Sequence, residues 1–245
     1  METAFLLNQL IKVVLLFAVQ YSTGLLVVLN GIKVNYTRKI NHFVLFLVPV
    51  YQDRVFAYED SAELFVSGTL VTLLSIAIYT KPIRTRVPVI GTMFRSFDRP
   101  EDRPYTLMWL FTQLIAGYLV IIPMGLLFAH YDLLHLMLIP VLINGIGDGL
   151  AEPVGVRFGR NHYHTYAIFT RRKYIRTLEG SACVLLTSII TIAAFYPHFT
   201  SIQFAAAMLI IPPLLTAAEA FSPHTWDTPF IFLAGYLALF TISLI

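Results

Sequence analysis

The sequence predicts an all-α, polytopic integral membrane protein with about eight transmembrane helices, one of them broken at a glycine-rich motif. Composition is the first observation behind this fold class: 57% of the 245 residues are hydrophobic, 13% are charged, and mean hydropathy is +0.72. A soluble domain usually carries about 25% charged residues, so most of this surface is expected to face lipid. The other two observations are apolar runs of membrane-spanning length and basic residues that alternate between loops.

Eight apolar segments are the predicted spans, and together they form one transmembrane domain over residues 1–245. They are 6–29, 40–52, 62–79, 106–128, 131–152, 178–196, 202–220 and 228–245. The second span is short and contains Pro49. Pro123 and Pro140 are expected to bend or shorten the fourth and fifth spans, because proline lacks a backbone N–H. The first span is too long for the apolar region of a signal peptide and is expected to be retained.

The basic residues predict the orientation of these spans. Of 17 lysines and arginines, 15 lie in the first, third and fifth loops: Lys33, Arg38, Lys39, Lys81, Arg84, Arg86, Arg95, Arg99, Arg103, Arg157, Arg160, Arg171, Arg172, Lys173 and Arg176. The second loop carries mainly acids: Asp53, Glu59, Asp60 and Glu63, beside Arg54. Basic loops are characteristically cytoplasmic. We therefore expect the odd-numbered loops in the cytoplasm and both termini on the opposite side.

Several classes of function are excluded by what the sequence lacks. The single cysteine, Cys183, excludes a disulfide framework and a cysteine-based metal cluster. No G-x-x-x-x-G-K-[ST] loop and no H-E-x-x-H motif is present, which argues against a P-loop nucleotide site and a zinc protease. The net charge of +3 is explained by the cytoplasmic loops, so no nucleic acid partner is expected.

Five acidic residues map to the cytoplasmic ends of the last four spans: Asp148, Glu152, Glu179, Glu219 and Asp227. An ionisable group in a span costs a few kcal/mol on insertion scales and is a functional candidate. A single such acid would be expected to reach the headgroups or to pair with an arginine. Five on one side of the membrane favour a shared site.

The glycine-rich motif adds a phosphate-binding interpretation to this acidic site. Asp148 and Glu152 are four residues apart, so a helix would place both carboxylates on one side. Gly145, Gly147, Gly149 and Pro153 interrupt the span, and we expect the helix to break there and expose backbone N–H groups. Helix N-termini bind phosphate, and paired carboxylates suit Mg²⁺. Nearby basic residues would neutralise phosphate, although Arg171, Arg172 and Lys173 could equally contact lipid headgroups.

The segments GDGLAEPVGVRFG (147–159) and RTLEGSA (176–182) resemble the polyprenol, phytol and dolichol kinase family, which shares a membrane fold with CDP-diacylglycerol synthase. Three further segments support the resemblance: RKINH (38–42), RPEDRPY (99–105) and AEAFSPHTWDTPF (218–230). The chain departs from the family where Arg176-Thr177 replaces Lys-Ser and Asp227-Thr228 replaces Asp-Asn. Arginine keeps the charge but changes the donor geometry from a point to a fork.

The resemblance implies a single transmembrane catalytic domain that transfers phosphate from a nucleoside triphosphate, typically CTP, to a membrane-embedded alcohol such as phytol, polyprenol or dolichol, with Mg²⁺. Four residues are then the expected catalytic acids: Asp148, Glu152, Glu219 and Asp227. Three of these are the expected metal ligands: Asp148, Glu152 and Asp227. Ten residues are expected to line the nucleotide and phosphate pocket: Lys39, Gly147, Gly149, Arg157, Gly159, Arg160, Arg176, Glu179, Gly180 and Ser181. His42 is a further candidate.

Two other functions are weighed against this one. A cytidylyltransferase acting on a phospholipid would release pyrophosphate, and the Lys-Asp and His-Gly-Gly patterns that such enzymes resemble are missing from the sequence. An ion-coupled transporter would more often carry its charges near the bilayer midplane, on broken helices of two repeats, and no repeat is visible. The sequence does not select the alcohol, the nucleotide, the oligomeric state or the membrane.

Overall fold

The structure is a computed structural model that describes residues 3–56, 62–168 and 170–245. Glu59 and Asp60 of the predicted acidic loop lie outside the described residues, and so do the side chains of Arg54, Glu63 and Arg171. The chain divides into two compact units, Met1–Phe111 and Thr112–Ile245.

The first unit is built from helices that pack around an aromatic cluster. Its helices are α1 (Thr3–Asn30), α2 (Val34–Val55), α3 (Ala62–Ala77), α4 (Lys81–Arg86) and α5 (Pro88–Arg95), followed by a 3-10 turn at Pro100–Asp102. The cluster consists of the buried side chains Tyr79, Met93, Phe94 and Phe97. α1 and α5 cross closely at Gly24, where a Cβ atom would lie 2.1 Å from the carbonyl oxygen of Thr92.

The second unit contains the remaining elements, and the boundary between the units falls within α6. The elements are α6 (Thr106–His130), α7 (Leu138–Leu142), a π-helical turn (Ile143–Asp148), α8 (Gly149–Phe158), β1 (His162–Ala167), β2 (Thr170–Thr177), α9 (Leu178–Ala194), α10 (Ser201–Phe221) and α11 (Asp227–Ser243). α9 packs against α8, α10 and the π turn, while α10 packs against α11. Their shared core is fully buried and apolar, with Val184, Ile211, Leu215 and Ile231 at its centre.

The helices confirm a membrane protein but not the predicted count of eight spans. In the described part of the chain, four helical segments combine the length and apolar composition needed to cross a bilayer: Thr3–Asn30, Thr106–His130, Leu134–Phe158 and Ser201–Phe221. Three shorter apolar helices coincide with other predicted spans: Val66–Ala77, Leu178–Ala194 and Asp227–Ser243. Large apolar side chains point outward from these helices, for example Leu119 and Leu126, each 70% exposed, as expected for surfaces that contact lipid.

The predicted second span differs most from the structure. α2 continues through Pro49 and begins at Val34, so Arg38 and Lys39 lie in a helix and not in a loop. Charged residues near both ends keep this helix from meeting the composition expected of a spanning segment. Pro123 does not end α6 early. Pro140 lies in the first turn of α7, where a backbone N–H would have no acceptor within the helix, so the N–H that proline lacks is not missed.

The predicted helix break at the glycine-rich motif is wrong. The backbone remains helical through the motif, because the π turn at Ile143–Asp148 joins α7 directly to α8. Gly149 has φ −53° and ψ −42°, which are ordinary right-handed helical values. Glycine permits unusual backbone angles but does not require them. The motif therefore does not form the exposed helix N-terminus that the phosphate-binding interpretation assumed.

The motif glycines instead allow close packing between helices. A Cβ atom at Gly147 would lie 3.0 Å from the Val184 Cα atom of α9. A Cβ atom at Gly180 would lie 2.7 Å from the Ala151 carbonyl oxygen of α8. Both distances are shorter than ordinary van der Waals contact, so larger residues would push α9 away from the π turn and from α8. Gly147 thus sets the separation of the π turn from α9, and Gly180 sets that of α8 from α9.

The fold is also not entirely helical, because the predicted loop between the fifth and sixth spans contains an antiparallel hairpin. Its register pairs Tyr163 with Arg176 and Thr165 with Tyr174. Alternate residues of a strand face opposite sides, so these four side chains share one face of the hairpin. That face turns inward: Thr165 and Tyr174 are buried, whereas His164 on the other face is exposed.

Candidate functional site

The hairpin carries Arg176 to the junction of α9, α10 and α11. Thr165 Oγ1 donates a hydrogen bond of 2.7 Å to the carbonyl oxygen of Ser222, just after α10. The His224 N–H donates to the carbonyl oxygen of Tyr166 at 2.8 Å, and the His224 ring stacks on Tyr174 with centroids 3.6 Å apart. These contacts hold the inner face of the hairpin against the connection between α10 and α11.

Arg176 is the centre of a buried charged cluster. Its Nη1 atom donates to Glu219 Oε1 at 2.8 Å and to the Glu219 carbonyl oxygen. Its Nη2 atom donates to Ser222 Oγ at 3.2 Å and lies 3.8 Å from Asp227 Oδ2. The side chains of Arg176, Glu219 and Asp227 are only 12%, 6% and 8% exposed. Two carboxylates and one guanidinium are therefore held together away from solvent, near the ends of apolar helices.

Ser181 extends this cluster to the other strand of the hairpin. Ser181 Oγ donates to Glu219 Oε2 at 2.8 Å. It also lies 2.6 Å from the Tyr163 hydroxyl. A serine hydroxyl has one proton to donate, so the Tyr163 hydroxyl is the donor in the second bond. Both oxygens of Glu219 are thus occupied, one by Arg176 and the other by Ser181.

The charges of the cluster hold Arg176 in its cationic form. Burial alone would lower the pKa of the Arg176 guanidinium, but the negative charges of Glu219 and then Asp227 outweigh burial and raise that pKa. Asp148 acts in the same direction on the pKa of Arg176, more weakly. Burial, followed by the charge of Glu219, raises the pKa of the Tyr163 hydroxyl, which therefore remains a neutral donor at neutral pH.

Asp148 and Asp227, two of the three predicted metal ligands, are both buried. Asp148 ends the π turn and is 3% exposed, while Asp227 opens α11 and is 6% exposed. Asp227 Oδ1 accepts a 3.2 Å bond from the Thr228 N–H. In the described part of the chain, no three carboxylate, imidazole or thiol groups converge into a metal site. Mg²⁺ commonly uses one or two carboxylates, with waters and substrate phosphates completing its shell, and this donor set is of that kind.

The structure places the other predicted site residues of the second unit as follows. Glu179 accepts hydrogen bonds from the Asn161 side chain at 3.0 Å and from its backbone N–H at 3.2 Å. Glu152 is half-buried one turn beyond Asp148 in α8. Arg157 and Arg160 are exposed at and after the end of α8. Gly149 is buried at the start of α8, and Gly159 packs its backbone against Thr177.

Lys39 and His42 belong to the first unit, in α2. The Lys39 side chain is buried, with an exposed fraction of 2%, and the His42 ring lies 4.7 Å from that of Phe46. Their part in the site remains a prediction from the resemblance.

Two members of the cluster, Tyr163 and Ser222, were not predicted from the sequence. Tyr163 lies in a segment interpreted as a polar loop, and only the hairpin register places it opposite Arg176. Ser222 follows α10 and donates a 2.8 Å bond to the Glu219 carbonyl oxygen three residues earlier. The sequence signal available for Ser222 was its position just after α10, whose last turn contains the acid Glu219. Thr177 was missed as the N-cap of α9, where its hydroxyl accepts from the Gly180 N–H.

Comparison with known proteins gives one distant relative. Over 193 residues, the chain is 27% identical to a dolichol kinase of Saccharomyces cerevisiae (strain ATCC 204508 / S288c), covering 74% of this chain and 33% of that protein. The chain thus spans about a third of the length of the curated relative it matches. No protein-family model matches the chain. No solved structure matches it significantly. The similarity supports a distant relationship to dolichol kinase-like proteins.

Proposed function

We propose that this chain is a membrane lipid kinase that transfers the terminal phosphate of CTP to an isoprenoid alcohol of the dolichol, polyprenol or phytol type. The observation that carries the proposal is the buried cluster of Arg176, Glu219 and Asp227, with Asp148 acting on it electrostatically. Buried charges are costly, and replacing a whole buried ion pair by apolar residues is often neutral or stabilising, so the presence of this cluster at the ends of apolar helices favours a chemical role. The distant similarity to a protein described as dolichol kinase supports the same class of reaction.

Phosphoryl transfer needs positioning and positive charge far more than covalent catalysis. Arg176 supplies a buried positive charge that would attract phosphate, and Glu219 fixes the orientation of the guanidinium through a 2.8 Å bond. Ser181 and Tyr163 hold Glu219 from the other side, so that the carboxylate cannot rotate away from Arg176. Glu219 is therefore a positioning residue, whereas Arg176 would stabilise the transferred phosphate through its positive charge.

Asp148 and Asp227 would hold a magnesium ion, which when bound neutralises phosphate charge. In the reaction, the hydroxyl oxygen of the lipid bonds to the terminal phosphorus of CTP while the bond to the bridging oxygen breaks. CDP leaves, and the hydroxyl proton passes to a carboxylate of the cluster or to water. A strong base is not required, because the loose transition state demands little deprotonation of the alcohol.

An isoprenoid acceptor fits the surroundings of the cluster. The elements that carry it continue into apolar helices with outward-facing side chains, such as Leu186 on α9 and Leu209 on α10. An isoprenoid chain could lie along these surfaces in the bilayer while only its hydroxyl reaches the charged residues. With the lipid placed in this way, its hydroxyl and the water-soluble nucleotide would meet near the helix ends, which is where the acids lie.

The test is an assay of purified protein in detergent with Mg²⁺ and CTP labelled on either the α or the γ phosphate. Dolichol, a shorter polyprenol, phytol and diacylglycerol are the acceptors. The proposal predicts that γ label, and not α label, appears on an isoprenoid alcohol. Label from the α position on a phospholipid would establish a cytidylyltransferase instead. Folded protein that transfers neither label to any acceptor would refute both enzymatic functions.

A further inference from the structure

The first unit contains a basic groove of about 760 Å³, built entirely from residues between Val28 and Arg103. Three arginines line it: Arg84 of α4, Arg95 at the end of α5, and Arg103 after the 3-10 turn. One acid, Asp98, also lines it. Three guanidinium groups against one carboxylate leave the groove with an excess of two positive charges.

The carboxylate of Asp98 is already paired with other side chains. Asp98 Oδ2 accepts a 2.8 Å bond from Arg103 Nε, and Asp98 Oδ1 accepts a 2.7 Å bond from Thr106 Oγ1. Because the charge of Asp98 is paired with that of Arg103, it offsets only one of the three guanidinium charges of the groove. The charges of Arg84 and Arg95 therefore remain available to an anion that enters the groove.

Arg84 is held in place while part of its donor capacity is unused. Its guanidinium lies over the Phe94 ring, 3.9 Å from the ring centroid, and Phe94 belongs to the buried aromatic cluster of this unit. The Nη1 atom of Arg84 is buried and has no hydrogen-bond partner in the described part of the chain. A buried donor without a partner destabilises the folded protein, and a bound anion would remove that penalty.

Gly91 forms the wall beside Arg84 and allows the backbone of α5 to approach α4 closely. A Cβ atom at position 91 would lie 2.8 Å from the Arg84 carbonyl oxygen. A larger residue would therefore move Arg84 away from its place over Phe94. The groove is thus shaped by the packing of α4 and α5, and the arginine does not depend on a ligand for its position.

Exposed apolar side chains are neighbours in sequence of the residues that line the groove. Ile83, Val87 and Val89 of the α4–α5 segment are 38%, 40% and 50% exposed. Exposed aliphatic side chains next to arginines are typical of segments that lie in the headgroup region of a bilayer. Arginine forks match the geometry of phosphate oxygens.

We propose that this groove binds a phosphate group, carried either by the headgroup of an anionic lipid or by a soluble phosphate compound, through Arg84 and Arg95. The proposal does not depend on the proposed kinase activity, since it concerns binding alone. It predicts that the phosphate, and not the lipid chain, provides the recognition.

The test measures binding to the purified full chain in neutral detergent by microscale thermophoresis. Dioctanoyl phosphatidic acid is the lipid probe, and dioctanoylglycerol, which lacks only the phosphate, is its matched control. Inorganic phosphate and CTP are the soluble probes. Arg84→Gln and Arg95→Gln remove the charges of the groove. Arg86→Gln is the matched control variant, because Arg86 is exposed on the same short helix but does not line the groove.

We expect phosphatidic acid to bind, dioctanoylglycerol not to bind, and each groove variant to weaken binding by about tenfold, the effect of losing one charged hydrogen bond. Arg86→Gln should change binding by less than about twofold, in line with a peripheral exposed charge. The same pattern with inorganic phosphate or CTP, and not with the lipid, would identify a soluble phosphate as the ligand. The proposal would be overturned if all three substitutions weakened binding equally, or if none of them weakened it. Arg95 is exposed, so Arg95→Gln keeps the test decisive if Arg84→Gln does not fold.

Discussion

Removing the guanidinium of Arg176 should strongly destabilise the second unit. Arg176→Met keeps an unbranched side chain but leaves Glu219 and Asp227 buried without their cation, where they now lie 2.8 and 3.8 Å from it. Breaking a buried ion pair by removing one partner costs about 3 to 5 kcal/mol. The side chains are 12%, 6% and 8% exposed, so solvent screening reduces this value little.

The assay for this prediction is reversible unfolding in mixed detergent, followed by circular dichroism. The free energy of unfolding of Arg176→Met should fall by about 3 to 5 kcal/mol relative to the unmodified chain. Arg160→Met is the matched control, because Arg160 is exposed, and it should change the free energy by less than about 0.5 kcal/mol. Adding Glu219→Gln to Arg176→Met should recover part of the loss, since one uncompensated charge is removed. A loss below about 1 kcal/mol for Arg176→Met would show that the carboxylates do not depend on Arg176, and would refute this account of the cluster.

Two further predictions concern the packing that supports the site. Gly180→Ala places a Cβ atom 2.7 Å from the Ala151 carbonyl oxygen and should cost about 1 to 3 kcal/mol in the same unfolding assay. Gly125→Ala meets only Met137 at 3.8 Å and should be neutral or stabilising; similar losses for both would contradict the packing argument. Thr177→Val removes the hydroxyl that caps α9 and should cost about 1 kcal/mol, whereas Thr177→Ser should retain most of the stability. An equal loss in both variants would mean that the cap is unimportant.

The sequence predicted the apolar helices and the acids near their ends because both leave strong local signals. Long apolar runs predict spanning helices by length alone. Glu219 and Asp227 stand out because charges are rare in such surroundings. The structure brings these two acids together with Arg176 and Ser181, all of which the sequence analysis had placed in one site. Their chemical roles stay predictions until activity is measured.

The glycine-rich motif shows where local reasoning went wrong. Its glycines were interpreted through their backbone freedom, which led to the prediction of a broken helix. The structure instead uses the missing Cβ atom of Gly147 for close contact between the π turn and α9. A sequence alone does not distinguish these two uses, because the second depends on which helix lies opposite.

The hairpin was missed for a related reason. The strand β1 alternates two histidines with tyrosine and threonine, so it lacks the apolar alternation that marks a half-buried strand. The pairing of Tyr163 with Arg176 depends on register, which polar residues specify weakly. The π turn was likewise not predicted from the sequence, although such turns frequently occur at functional sites.

The most direct test of the proposed function and its site is the rate of γ-phosphate transfer from CTP to an isoprenoid alcohol in the Asp148→Asn variant. Asp148 is buried, and its negative charge raises the pKa of Arg176. Asp132 is exposed on a turn of the same unit, so Asp132→Asn makes the same chemical change away from the cluster and serves as the control. We predict that Asp148→Asn abolishes transfer in protein with an unchanged circular dichroism spectrum, while Asp132→Asn retains the full rate. Transfer at the unmodified rate by folded Asp148→Asn would contradict the assignment of this cluster as the active site.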